Sequence, residues 1–410
     1  MKKKIAALLL ALALGASLGL SAFAEETEGA APAGKDTVAG PDAGAEYRPD
    51  PLGKVSFAAV EQRARRNNLQ ILALDQQIAA LEDIDYEKNL DHLRDALNGI
   101  ANAQGMLLDM GQGASYSYDK LEDSYNALRR QFDAIWNGDL QEDNADLIRQ
   151  LKNLEDQIVL GGETMYMAIL SMESQETDLE RQLTALDRQL EELELRYKLG
   201  QIAALALTEA KAGRSALVSG LETLRMNIRV YKAQLEALLG AEQTGSVNMG
   251  GVPQVTAAQL AAMDPEKDLE TAKDRSYELF EARKTYEDTR DAYHGIGDYT
   301  PSLSAEHGWP AAQYTYRNAV QSYELKFRTL SAQVTDYKQV LEAAKVTLES
   351  KRASCAASEL KFKQGNISKN AFLTAVEEAA AAEEAVHKAE NDLFTAYNSY
   401  CWAVETGILN

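Results

Sequence analysis

The chain has 410 residues, 26% of them charged, and its net charge of -21 argues against binding to nucleic acid or anionic lipid, which need basic patches. Ala and Leu supply much of the 45% hydrophobic share, and only 8 Pro occur, a composition typical of long helices. The two Cys are too few for a disulfide framework.

The first 24 residues are predicted to be a secretory signal peptide. Three Lys open the segment, residues 5–20 are apolar, and Ser21 to Ala24 end in the small-x-small pattern that signal peptidase accepts. Residues 25–54 are rich in Gly, Ala, Pro and acid, and we expect a disordered leader because they contain too little apolar surface to fold. The protein is therefore expected to be exported to the cell envelope. That means the outer membrane or periplasm if the source has them, and otherwise the cell surface.

Apolar residues at alternating steps of three and four predict helices along most of the remaining chain. Irregular or Gly-rich segments are expected at 105–118, around Gly161-Gly162, and at 295–310. The predicted helical stretches are 56–100, 120–136, 163–199, 217–239, 268–293, 320–348 and 369–404. An average step of 3.5 residues over several heptads is the pattern of a left-handed coiled coil, so these rods must pack on one another.

An internal repeat divides the chain. The block Glu194 to Ala203 (ELRYKLGQIA) aligns with Glu359 to Ser368 (ELKFKQGNIS), about 165 residues later. Each block follows a heptad helix and leads into another long helix, so we expect each to be the turn of a helical hairpin. The expected organisation is a first repeat at 55–240, a linker at 241–267 and a second repeat at 268–410.

These blocks resemble the repeated motif of the TolC-type outer-membrane efflux protein family. In that family, three chains form a β-barrel in the outer membrane that continues into a helical tunnel. The motif is the turn at the inner tip of the tunnel, where a periplasmic adaptor protein docks. The resemblance covers about residues 55–407 and is strongest over the two hairpins that carry the motif. It implies a homotrimer that works with an adaptor, or membrane fusion, protein and its pump.

The resemblance also identifies candidate partner-binding residues at the two turns. By position in the motif, they are Arg196, Tyr197, Gly200, Ile202, Ala203, Lys361, Phe362, Gly365, Ile367 and Ser368. A helix-helix turn with no partner is the simpler alternative. A bare turn, however, needs the Gly but not the aromatic and Ile residues that flank it in both copies.

Two features depart from the family. A membrane barrel needs alternating strands of about 9 to 11 residues, and neither 105–118 nor 296–316 supplies a pair of them. The family's Asn-Pro after the first helix of each half is also missing, since Asn67 and Asn68 are followed by Leu69. The expected fold is thus mainly all-α: long antiparallel coiled-coil hairpins in two homologous halves, a TolC-like α-barrel architecture with little or no β.

No catalytic, metal or cofactor motif is recognisable, so we predict no enzymatic activity and no cofactor. Cys355 and Cys401 should lie about 39 Å apart along their hairpin, which is too far for a disulfide. The leading hypothesis is a passive efflux or secretion duct. The alternative is an exported coiled-coil structural or interaction protein without transport activity. A third, an adaptor itself, is weaker because no lipoyl-like or β-barrel segment flanks the hairpins.

Overall fold

The structure, a computed structural model, describes residues 50–51, 53–294 and 303–409. The predicted signal peptide and most of the predicted leader lie outside these residues. The described part is almost entirely helical, which confirms the predicted fold class. None of its helices is long and apolar enough to cross a membrane.

Eleven helices and two short strands make up the described residues. In chain order they are β1 (Lys54–Val55), α1 (Phe57–Asn67), α2 (Leu69–Glu82), α3 (Tyr86–Asp109), α4 (Tyr116–Trp136), α5 (Asp139–Lys198), α6 (Ala204–Leu238), β2 (Asn248–Met249), α7 (Ala257–Ala262), α8 (Pro265–Arg275), α9 (Tyr277–His294), α10 (Leu303–Lys363) and α11 (Lys369–Thr406). β1 pairs with β2 in parallel, with Lys54 opposite Asn248.

Four long helices pack side by side in the order α6, α5, α11, α10. The α5–α6 and α10–α11 pairs are antiparallel hairpins, and α5 packs on α11 to join them. The shorter helices α1 and α2 lie on α5, α8 lies on α11 and α10, and α9 lies on α10. At 1.5 Å per residue, α5 is about 90 Å long, longer than the sequence predicted.

The largest correction concerns α5, which begins at Asp139 and runs unbroken through Gly161 and Gly162. A Gly inside a helix costs about 1 kcal/mol relative to Ala. Close packing offsets this cost at Gly162, where a Cβ atom would lie 2.9 Å from Leu238 Cδ2 and 3.3 Å from Val60 Cγ1. The sequence pattern weakened at this point because the Gly allows another helix to approach.

The segment 105–118, predicted to be irregular, consists of the end of α3, a short turn and the start of α4. The turn is stabilised by the Ser115 hydroxyl, which accepts a hydrogen bond from the backbone N–H of Tyr118 at 3.2 Å. The two helices pack as an antiparallel hairpin. The periodicity is weak here because small and polar residues lie beside exposed Met106 and Leu108 at the end of α3.

The break predicted at 295–310 is also too long. Residues 295–302 lie outside the described part, but α10 is already helical from Leu303 and continues through Pro310. A Pro inside a helix costs about 3 kcal/mol. Packing on α9 opposes this cost, since Tyr286 stacks on Tyr316 and Tyr293 on Trp309 with ring centroids 5.9 Å and 5.7 Å apart.

Three further helix boundaries were missed because side chains rather than Pro define them. One of these lies between α2 and α3, where the Asp85 carboxylate accepts a hydrogen bond from the Lys88 N–H at 2.9 Å. Asn68 ends α1 and caps α2, accepting hydrogen bonds from Gln70 and Ile71 while donating to the Leu238 carbonyl at 2.9 Å. Buried Ser276 plays the same part between α8 and α9, where its hydroxyl accepts from the Leu279 N–H. The predicted helices 56–100 and 268–293 are therefore each interrupted.

Candidate functional site

The first candidate site is the turn between α5 and α6. Gly200 has a φ of +71°, a conformation that Gly adopts without strain. Its N–H donates to the Tyr197 carbonyl at 2.9 Å, and the Gln201 N–H donates to the Arg196 carbonyl at 2.9 Å. These two bonds form a Schellman motif, which satisfies carbonyl groups left open at the helix end. After Ala203, α6 begins without a side-chain cap.

The second candidate site, between α10 and α11, repeats this geometry. Gly365 has a φ of +74°, and its N–H donates to the Phe362 carbonyl at 2.9 Å. The Asn366 N–H donates to the Lys361 carbonyl at 2.8 Å. Ser368 caps α11 by accepting from the Ala371 N–H at 3.2 Å. The two blocks matched in sequence thus have the same backbone hydrogen bonds, with a reversal of the chain at each Gly.

Contacts between α5 and α11 place the two turns at the same end. Buried Glu163 accepts hydrogen bonds from Asn398 and Trp402, both at 2.7 Å. Further along, Ser174 bonds to Glu384 and Arg188 to Glu377, and the Asn370 amide approaches Glu192 at 3.5 Å. As the residue number rises along α5 it falls along α11, so the end of α5 lies beside the start of α11. Gly200 and Gly365 are therefore neighbouring turns.

The candidate side chains divide into two groups by burial. Ile202 and Ile367 are half-buried in their turns, whereas Tyr197 and Phe362 are 44% and 36% exposed. Phe362 stacks on Phe372 across its hairpin with ring centroids 5.4 Å apart. The Ile residues therefore support the turns from inside, and the aromatic rings form part of the outer surface.

The sequence analysis missed other exposed apolar side chains around the turns. They are Leu195, Leu199, Leu205 and Leu360. Each lies off the heptad seam of its helix, and that position is the sequence signal that could have identified them. A partner that docks here would meet more leucine than the motif alone indicates.

Charges around the two turns differ. At the first turn, Arg196 pairs with Glu192 on the same helix, and Lys211 of α6 pairs with Glu194 at 2.8 Å. This hydrogen bond from Lys211 holds the pKa of the Glu194 carboxyl below its usual value. At the second turn, Lys361, Lys363 and Lys369 are all exposed, and Lys363 pairs with Glu359 at 2.6 Å. In a chain of net charge -21, this turn is locally basic.

Within the described residues, no group of three or more His, Cys, Asp or Glu side chains is arranged to hold a metal ion. Cys355 and Cys401 are half-buried free thiols, and burial raises the pKa of the Cys401 thiol to about 11.

No protein-family model and no curated protein matches this sequence. Among solved structures, the chain is similar to the outer membrane protein VceC from Vibrio cholerae, with 12% identity, a TM-score of 0.43 and coverage of 85% of this chain and 96% of that one. The outer-membrane channel OprN shares 14% identity at a TM-score of 0.48, with coverage of 85% and 90%. The Campylobacter jejuni CmeC outer membrane channel shares 10% at 0.40, with coverage of 86% of each chain. These likenesses assign no role to any residue, and the fold described above stands on the chain's own helices.

Proposed function

We propose that the protein is a passive, TolC-like efflux or secretion duct component of the cell envelope, which docks an adaptor protein at its two helical turns. The observation that carries this proposal is the pair of identically built Gly turns lying side by side at one end of the long helices. A lone structural turn would not need to be duplicated in sequence, geometry and position.

The surface of the turns suits a partner made of helices. Gly200 and Gly365 have no atoms within 4 Å of where a Cβ would lie, so a partner backbone can approach them closely. Tyr197, Leu195 and Leu360 supply exposed apolar area next to these points. Large exposed apolar groups that surround an accessible backbone are typical of a protein-protein contact.

The proposed assembly is a homotrimer. In the row of four helices, α6 and α10 are the outer two, and both have exposed apolar side chains. Those on α6 include Met226 and Val230, and those on α10 include Leu325, Val340 and Val346. Two different edges of one chain can join copies head to tail, and such contacts close into a ring when the rotation allows it.

The direct test is binding of a purified adaptor protein encoded beside this gene, measured by biolayer interferometry. We expect the double variant Leu195→Ser and Leu360→Ser to weaken binding at least tenfold while the helical circular dichroism is unchanged. Met106→Ser, an equally exposed site on the α3–α4 hairpin, serves as the matched control and should bind like the wild type. Equal binding by all three proteins would refute docking at the turns.

The second candidate is an exported coiled-coil structural or interaction protein without transport activity. Ion pairs line the α5–α6 seam. They favour this alternative because a charged, solvated helical rod is explained by a structural role alone. Deleting the gene separates the two functions. A duct component should leave cells more sensitive to exported compounds, and re-expression of the wild type but not of the turn variant should restore resistance.

A further inference from the structure

The hairpin formed by α3 and α4 projects from the end of the molecule opposite the two Gly turns. Its base is fixed where α5 begins: the Asn144 amide donates to the Tyr86 hydroxyl at 2.7 Å, and Gln141 donates to the Ile135 carbonyl at 3.0 Å. Beyond this base, α3 packs chiefly on α4. With 24 residues, α3 reaches about 36 Å.

The far end of this hairpin exposes a cluster of large apolar side chains, here named the apolar tip. Its members are Met106, Leu108, Met110 and Tyr116, which are between 55% and 76% exposed. The hairpin cannot bury them, because the inner face of α3 is already occupied by residues such as Leu97. At the turn, a Cβ on Gly113 would lie 2.7 Å from Leu108 Cδ2, so the Leu108 side chain lies against this Gly. An exposed apolar patch of this kind marks an interaction site.

Charge is nearly absent from the same segment. Residues 96–118 contain one charged side chain, Asp109, in a chain that is 26% charged. A solvated coiled-coil hairpin would carry charges along its whole outer face, as α5 and α10 do. The absence of charge over two helix ends and a turn indicates a surface that becomes buried from water when it binds.

Polarity along the hairpin is layered. Met and Leu side chains occupy the extreme end, Tyr116 and Tyr118 follow, and charged residues resume with Asp119 and Lys120. The Lys120 ammonium lies 5.6 Å from the centroid of the Tyr116 ring. The order apolar, aromatic, charged is the order found across a membrane-water interface. A protein pocket would require apolar contact but not this gradient.

We propose that the apolar tip inserts into the surface of a lipid bilayer with neutral, zwitterionic headgroups and anchors this end of the protein. The net charge of -21 and the lone Asp109 favour neutral over anionic lipid, because like charges repel. The insertion depth expected for side chains at a hairpin end is about 5–10 Å, within the interfacial region. The site lies at the opposite end from the proposed adaptor site, so either can fail independently.

The first experiment is flotation of the chain from Glu25 onward, without the predicted signal peptide, with phosphatidylcholine vesicles on a density gradient. We expect the wild type to float, and the fourfold variant Met106→Ser, Leu108→Ser, Met110→Ser and Tyr116→Ser to float at least tenfold less. The control replaces four exposed apolar side chains that lie away from the tip, the Gly turns and the proposed α6 and α10 contacts, namely Leu69, Leu72, Leu154 and Val376, each by Ser. This control should float like the wild type, and circular dichroism should show the same helix content in all three.

A second measurement reports the tip itself, whatever other segments bind lipid. Tyr116→Trp should gain fluorescence that brominated phosphatidylcholine quenches, whereas the signal added by Tyr314→Trp should not be quenched. Absence of quenching at position 116 overturns the proposal, as does binding confined to anionic vesicles. If the fourfold tip variant instead abolishes a dimer seen by lipid-free sedimentation, and vesicles bind neither protein, the tip is a contact between copies and lipid anchoring is refuted.

Discussion

Ion pairs are more numerous across the α5–α6 hairpin, whereas aromatic and aliphatic side chains fill the α10–α11 hairpin, which two exposed ion pairs also cross. In the first, Arg225 of α6 contacts Glu176 and Glu180 of α5 at 2.6 Å and 2.5 Å, and Lys232 contacts Glu173 at 2.7 Å. In the second, the interior consists of fully buried side chains and their neighbours. They include Tyr323, Phe327, Val334, Leu341, Val386, Leu393 and Tyr400.

Buried carboxyl groups follow the same division. Among the described residues, the buried acids are Glu155, Glu163 and Glu236, all in the first half. Burial raises the pKa of Glu163, although Asn398 and Trp402 donate hydrogen bonds to it. Burial also tends to raise the pKa of Glu236. Hydrogen bonds to its carboxylate, including those from the Gly245 and Val247 N–H groups, outweigh this and lower the pKa overall. The first half should therefore respond to salt and pH, and the second half mainly to loss of packing.

The largest expected effect comes from emptying the core of the second hairpin. Phe327 is fully buried and packs against Tyr400 with ring centroids 5.3 Å apart. Phe327→Ala should lower the free energy of unfolding by about 3–5 kcal/mol, because it removes apolar contact and leaves a cavity. Urea denaturation measures this, with exposed Leu325→Ala on the same helix as the control. A loss below about 1 kcal/mol would mean that this hairpin does not depend on its core.

The next largest loss of stability is expected at Gly407, where the end of α11 packs closely on the backbone of Ser276. Gly407 ends α11 with a φ of +75°, and a Cβ atom there would lie 2.3 Å from the Ser276 backbone nitrogen. Gly407→Ala should reduce stability by about 2–4 kcal/mol, from strain at positive φ and overpacking. Gly365→Ala has the same φ but open space around it, so a loss of about 1 kcal/mol is expected. Equal losses in thermal unfolding would contradict the close approach at Ser276.

The strongest pH effect is expected in the first half. Burial, together with nearby Asp75, raises the pKa of Glu155 from 4.5 to about 7. The neutral form is favoured in the folded state, so its stabilising effect is complete below pH 4.5 and is lost as pH rises through 7. Glu155→Gln should remove that loss, a difference on the order of 1–3 kcal/mol at pH 8. Exposed Glu209→Gln is the control. Parallel stability curves for the variant and the wild type between pH 5 and 8 would refute this pKa assignment.

The smallest expected effect is a difference between the two hairpins in how salt changes the stability of their ion-pair variants. Arg225→Met should lower the unfolding temperature slightly in low salt, because one guanidinium serves three carboxylates at a partly exposed site. Arg352→Met on α10 breaks a single exposed pair with Glu383 and should change stability less. Thermal unfolding in low and high salt tests this, since screening should abolish the difference. A difference that persists at 1 M salt would have to come from packing.

The sequence predicted the parts of the fold that depend on local repetition. These parts are the heptads around Phe327 and Leu341 and the two Gly turns. Each depends on residues that are close together in the sequence, and the structure contains all of them. The unbroken α5 could not be predicted, because Gly162 is helical only through the helix that packs on it. The boundaries at Asn68 and Ser276 were missed for a similar reason, since ordinary polar side chains act as caps there.

The candidate site was predictable to the same degree. The motif located both turns, but it did not show that they lie side by side, which depends on contacts such as Glu163 with Asn398 and Trp402 far from the turns. It also did not show that Leu195 and Leu199 face outward, because exposure follows from how many helices surround a position. A binding role for these residues remains a prediction.

The short strand pair determines how the two halves would behave if the connection between them were cut. β1 pairs with β2 in the segment that joins the halves, and the buried Tyr166 hydroxyl donates to the Gly250 carbonyl at 2.6 Å, with the Val55 carbonyl at 3.3 Å. Proteolysis just before β2, near exposed Gln243, would therefore leave β1 and Tyr166 on one fragment and β2 and Gly250 on the other, still held together by these contacts. The nicked protein should migrate as one particle on a native gel and separate only in denaturant.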